Sequence, residues 1–82
     1  MPKFYFDVRD GADLFADEEG GEFSDESAAE VEAAEAAMAI GRELLPERQG
    51  GELLLEVFNE QREIVLTVNV ELHIARHAKR IK

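Results

Sequence analysis

Four stretches of the chain read as strands, and the first and last of them alternate with the two-residue period of a half-buried strand. Across residues 3–10, Phe4, Phe6 and Val8 fall on one side and Tyr5, Asp7 and Arg9 on the other. Asp10-Gly11 then predicts a tight hairpin, because such a turn needs positive φ, which glycine adopts without a Cβ clash. A weaker strand over 13–17 follows, with Leu14 and Ala16 on one face and Phe15 on the other. Gly20-Gly21 interrupts the pattern, and Glu22-Phe23 reads as a short extended piece. Residues 52–58 form a third strand, with Leu53, Leu55 and Val57 in one row and Leu54 and Phe58 in the other. After a turn over 59–62, residues 63–72 give the strongest alternation. Ile64, Leu66, Val68, Val70 and Leu72 point one way, and Val65, Thr67, Asn69 and Glu71 the other.

Between the two halves lies an alanine-rich helix, predicted over 25–45. Its N-cap falls at Ser24 or Asp25, and a capping-box pattern, Ser27-Ala28-Ala29-Glu30, lies one turn on. Asp25, Glu26 and Glu30 suit the positive end of the helix dipole. Seven alanines (28, 29, 33, 34, 36, 37 and 39) raise the helix propensity. Ala34, Ala37, Met38, Gly41, Leu44 and Leu45 fall on one side, the predicted sheet-facing stripe. Glu32, Glu35, Arg42 and Glu43 fall roughly opposite. Pro46 is expected to stop the helix, and Gly50-Gly51 to end the loop after it. The order ββαββ predicts an α+β fold: a mostly antiparallel sheet with one long helix packed on one face. The first and last strands, both strongly apolar, are expected at the centre.

Length and charge refine this picture. Eighty-two residues make one domain, expected over 1–72, with a basic tail over 73–82. In the tail Leu72, Ala75, Ala78 and Ile81 recur every three residues, which permits a short C-terminal helix that only docking would order. The net charge is −10 and is unevenly placed. Residues 1–71 hold 19 acids and five bases, a net of −14, whereas 72–82 hold Arg76, Lys79, Arg80 and Lys82 and no acid, a net of +4. So acidic a body disfavours nucleic-acid binding, which needs clustered cations. It favours pairing of the tail with acids, within one molecule or between two. With no cysteine, disulfides and thiolate metal sites are excluded. Met1-Pro2-Lys3-Phe4 opens no long apolar segment, and no apolar run approaches the roughly 20 residues of a membrane span, so a cytoplasmic protein is expected.

Candidate chemistry is sparse. Asp7, Asp10, Asp13, Asp17, Glu18 and Glu19 invite a calcium reading, but their spacing does not match a calcium loop, and charged edge residues explain them as well. His73 and His77 would share a face of a helical tail, yet two histidines with no further ligand make a poor metal site. Ser24 and Ser27 read as caps rather than nucleophiles. No cofactor and no enzyme activity are expected.

The segments Phe4-Tyr5-Phe6-Asp7-Val8-Arg9-Asp10-Gly11 and Asp17-Glu18-Glu19-Gly20, with Glu22, the helix opened by Asp25 and the closing Ile64-Val65-Leu66-Thr67-Val68, resemble a family of small alphaproteobacterial proteins known as a domain of unknown function. The resemblance implies a lone compact cytosolic domain and carries no activity, cofactor or catalytic residue. Two departures stand out: the turn Asn59-Glu60-Gln61-Arg62 lacks a glycine, and the chain runs on past the last strand. In arrangement alone, the order of elements is also similar to the antitoxin half of one bacterial toxin–antitoxin class.

The expected function is therefore a non-catalytic interaction module whose first partner is itself, as a homodimer, with another cytosolic protein next. The alternative is an antitoxin-like regulator that binds a basic partner protein and touches DNA through its tail. The candidate interaction surface comprises Tyr5, Phe15, Leu54, Phe58 and Val65 on the sheet's open side, and Arg76, Lys79 and Arg80 in the tail. A two-fold dimer would bury such a patch.

Overall fold

The computed structural model describes residues 1–78; Lys79 and Arg80 of the candidate surface lie outside the described residues. Three strands come first, β1 (Lys3–Asp10), β2 (Asp13–Phe15) and β3 (Gly21–Glu22). They are followed by α1 (Glu26–Arg48), β4 (Gly51–Phe58) and β5 (Ile64–Leu72). The sheet order is β2-β1-β4-β5, with β3 pairing beside β2 along β1, and each pairing is antiparallel. The α+β architecture follows the sequence pattern, but the central pair does not. The centre is β1 and β4, and β5 lies at an edge. The apolar run of β5 matched that of a central strand. Its hairpin with β4 claims one side only, while β1 takes the other side of β4 through five paired positions from Tyr5–Phe58 to Arg9–Leu54.

Cross-strand partners in an antiparallel pair share a face. One row therefore contains Phe6 with Val57 and Leu66, and the next contains Val8 with Leu55 and Val68. These face α1. Leu53, Leu55 and Val57 are fully buried and form the core with Phe4, Ala29, Ala33 and Ala37. Phe23 closes one end, stacked on Phe6 at 5.6 Å between ring centres.

The buried stripe of α1 is Ala29, Ala33, Ala37, Gly41 and Leu45, one residue in four. Of the expected stripe, Ala37, Gly41 and Leu45 are buried, Ala34 and Leu44 are half-buried, and Met38 is 58% exposed. Alanines surround the helix, so the sequence offered two faces of nearly equal character. The sheet selects the one whose small side chains permit the closest approach. At Gly41 that approach is tight, since a Cβ there would lie 3.0 Å from Val70 Cγ1.

The first helix end matches one of the two expected caps, and the last does not. Asp25 is the N-cap, its carboxylate accepting from the Ala28 N–H at 2.9 Å. Pro46 does not stop α1, which continues to Arg48. Proline removes one hydrogen bond in the exposed last turn, and burial of Leu45 holds the chain helical there. Termination falls to Gln49 in the left-handed region (φ 64), where the Gln49 N–H donates to the Pro46 carbonyl and the Gly50 N–H to that of Leu45. Residues 73–78 carry no helix or strand, so in them His73 and His77 do not share a helical face, and the rest of the expected C-terminal helix lies outside the described residues.

Candidate interaction surface

A small polar cluster organises the sheet face away from α1. Asp7 sits mid-strand in β1 and is 5% exposed. One carboxylate oxygen accepts from the Asp17 N–H at 3.0 Å, and the other from Arg62 at 3.3 Å. Asp17 in turn accepts from the N–H groups of Phe6, Glu19 and Gly20, at 3.0, 3.2 and 3.0 Å. Two carboxylates thus fasten the loop after β2 across β1. Gly20 completes the turn with φ +72, where Tyr5 and the Phe4 carbonyl leave no room for a Cβ. Among the described residues no buried side-chain nitrogen or oxygen lacks a partner.

Arg62 covers this cluster. Its guanidinium lies 4.9 Å from the centre of the Tyr5 ring and 4.7 Å from that of Phe58, and it pairs with Asp7. The backbone of Arg62 is left-handed (φ 60), in the turn where glycine was expected. That conformation costs a non-glycine residue roughly 1–2 kcal/mol, and here the side-chain contacts offset it. Arg62→Gly relieves the strain but loses the contacts with two rings and Asp7, so a net loss of about 1 kcal/mol is expected. Arg62→Ala keeps the strain and should be less stable than Arg62→Gly by about 1 kcal/mol. Urea unfolding of the pair measures the difference, and equal stabilities would remove the strain argument.

Burial alone would raise the Asp17 carboxyl, but three backbone N–H donors and the Arg62 charge outweigh it and hold the group below its ordinary range. A carboxylate so stabilised is a poor general base. The lowered folded pKa means that Asp17 contributes stability above its unfolded value, near 3.8, and loses it as pH falls through the folded value. Asp10 shifts in the same direction because Arg48, at the end of α1, donates to it through two N–H groups, at 2.5 and 2.6 Å. Asp17→Asn should therefore flatten the loss of stability below about pH 4. Melts across that range check this, and an unchanged slope would refute it.

The structure divides the expected apolar patch. Tyr5, Leu54 and Phe58 share the open face, with Tyr5 and Phe58 beneath Arg62. Phe15 pairs with Val8 and so belongs to the opposite face, where it is 59% exposed; Leu14, opposite Arg9, takes the open-face position. Val65 packs on the core, because an irregularity at Val57/Phe58 shifts the register of β5 and turns it toward α1. Arg76 is exposed in the segment after β5.

A second apolar region was not foreseen. On β5 the α1-facing side chains Leu66, Val68, Val70 and Leu72 are only half-buried, whereas Val57, Leu55 and Leu53, which pair with the first three, are fully buried. Beside them Met38, Gly41, Leu45, Val70 and Leu72 line a groove of about 220 Å³ between α1 and β5. The sequence signal for it was available in Met38 and Val31, seven residues apart on one side of a helix and both more than half exposed. Among the described residues no three His, Asp or Glu side chains are grouped to hold a metal ion, and no helix is long and apolar enough to cross a membrane.

The segments from Phe4 to Gly20 that carried the sequence resemblance are those joined by the Asp7–Asp17 cluster. The family model of DUF6894, a domain of unknown function, matches residues 3–71. The chain belongs to the DUF6894 family. The match spans the DUF6894 sheet and helix from the start of β1 to Glu71 in β5. Neither the curated proteins nor the solved structures compared with this DUF6894 domain give a match.

Proposed function

We propose that this DUF6894 domain is a non-catalytic interaction module that associates with itself. The observation that carries the reading is the difference between the two sheet edges. On one edge β2 is three residues long and begins with Asp13, features that resist edge-to-edge pairing. On the other, β5 is nine residues long, and Ile64-Val65-Leu66-Thr67-Val68-Asn69-Val70 contains neither a charge nor a proline. Among the described residues nothing pairs with its outer side. A strand of that length and composition either finds a partner or invites aggregation, so a functional partner is the consistent reading. Light scattering of the full chain tests it. A mass of two copies, with a melting temperature that rises with protein concentration, is expected. A single-copy mass up to millimolar protein would end the proposal.

A further inference from the structure

We infer that two copies join through β5, antiparallel about a two-fold axis near Val68, so that the sheets become continuous and the two α1 helices pack side by side through Met38. This rests on the self-association reading and specifies its geometry.

Three constraints bear on the axis, and the second selects Val68. The first is the parity of the strand. In β5 Leu66, Val68, Val70 and Leu72 face α1, and Thr67, Asn69 and Glu71 face away. From Leu66 onward, a two-fold axis through any residue keeps like faces together, whereas an axis between residues sets apolar side chains against Asn69 and Glu71. With the axis at Val68, Val68 meets its own copy, Leu66 meets Val70 and Thr67 meets Asn69, and the matched faces end at the irregularity before Leu66.

The second constraint is the spacing of the helices. The helix rests on both β4 and β5, so it lies over the line between them. Strands about 4.8 Å apart would then place the two helices about 10 Å apart, within the ordinary range of helix packing. The level along the helix follows from Gly41, which abuts Val70. Two strand residues back is roughly 6.6 Å, or about four residues of helix at 1.5 Å each. That puts Ala37 and Met38 level with Val68, one of the residue-centred axes that parity allows. Met38, 58% exposed on the β5 side of α1, would meet its own copy there. Glu35 and Arg42 flank it on the helix, and antiparallel helices bring the Glu35 of one copy toward the Arg42 of the other.

The third constraint is charge. An antiparallel β5 pair sends the chain beyond Leu72 past the turn that precedes the other copy's β5. With the axis at Val68, the segment after Leu72, with the exposed Arg76, passes the end that carries Glu60 and Glu63. The positive charge of Arg76 thus comes by an acidic turn of an acidic body. Arg62, in the same turn, is already held by Asp7 and the two rings.

The chain lacks cysteine, so single-cysteine variants report one contact each. Full-length Met38→Cys should form a covalent dimer under mild oxidation, and Asp13→Cys on the opposite edge should not. Met38→Glu, at an exposed position that leaves the fold intact by circular dichroism, should weaken the dimer at least about tenfold. Charge reversal by Glu60→Lys with Glu63→Lys should weaken it too and reduce its sensitivity to salt. A dimer that persists in Met38→Glu and does not cross-link through Met38→Cys overturns this arrangement and leaves self-association standing. A monomeric wild-type chain overturns both.

Discussion

Gly20→Ala is expected to destabilise the domain by about 3 kcal/mol, the larger part of the stability of a chain this small. Two costs add. The backbone at Gly20 has φ +72, which costs an alanine about 1 kcal/mol. The new Cβ would also lie 2.9 Å from Tyr5 Cε2 and 3.0 Å from the Phe4 carbonyl oxygen. The carbonyl belongs to β1, a central strand, and the Tyr5 ring is held under Arg62, so neither yields without disturbing the sheet. Overpacking of this kind costs typically 1–3 kcal/mol, about 2 here. The melting temperature should fall by roughly 15 °C. Gly11 provides the comparison, with φ +63 and nothing within 4 Å of the place a Cβ would take. Gly11→Ala should therefore lose only about 1 kcal/mol. Equal losses at the two glycines would show that the contact with β1 costs nothing.

Asp7→Ala should cost about 2–3 kcal/mol. Its carboxylate is the acceptor for the Asp17 N–H and the anion beneath Arg62. Removing it leaves that N–H without a partner and frees the loop that Asp17 organises. Arg62 is 47% exposed on its side chain, so the ion pair itself adds little, and most of the loss comes from the hydrogen bond and the loop. Asp7→Asn retains an acceptor for the N–H and should lose only about 1 kcal/mol. Urea unfolding with amide exchange at Phe6, Glu19 and Gly20 separates the two contributions. Unchanged protection of those amides in Asp7→Ala would refute the role given to Asp7.

Much of this was legible in the residue pattern, for local reasons. Alternation placed each long strand to within a residue or two, because side-chain direction in a strand has a period of two. Asp10-Gly11 marked the first hairpin, and Asp25 was one of two caps considered for α1. The cluster around Asp17 was less legible. Asp17 with Gly20 three residues later is a turn signal, since a short carboxylate can accept from the N–H groups just ahead of it. Nothing local connects that turn to Asp7 or to Arg62, which is 55 residues from Asp7. Of the acids that suggested a cation loop at the level of sequence, Asp7, Asp10 and Asp17 are bound to backbone N–H groups or arginines of the same chain.

Pro46 and the alanines of α1 show the limits of local rules. Proline is a stop signal only where no tertiary contact opposes it, and the burial of Leu45 does oppose it. Alanine favours helix on every side, so it encodes that a helix forms but not which side faces the sheet.

By itself, the sequence determined the type and order of the elements, the acidic body with its basic end, and the absence of cysteine chemistry. These depend on backbone propensity, side-chain period and formal charge, all of which act over a few residues. Only the tertiary structure decided that β4 rather than β5 is central, that Ala33 rather than Met38 meets the sheet, and that Arg62 closes over Asp7, Tyr5 and Phe58. Those outcomes turn on which of several similar apolar surfaces are buried together, a competition settled by the packing of the whole domain and not by any one segment.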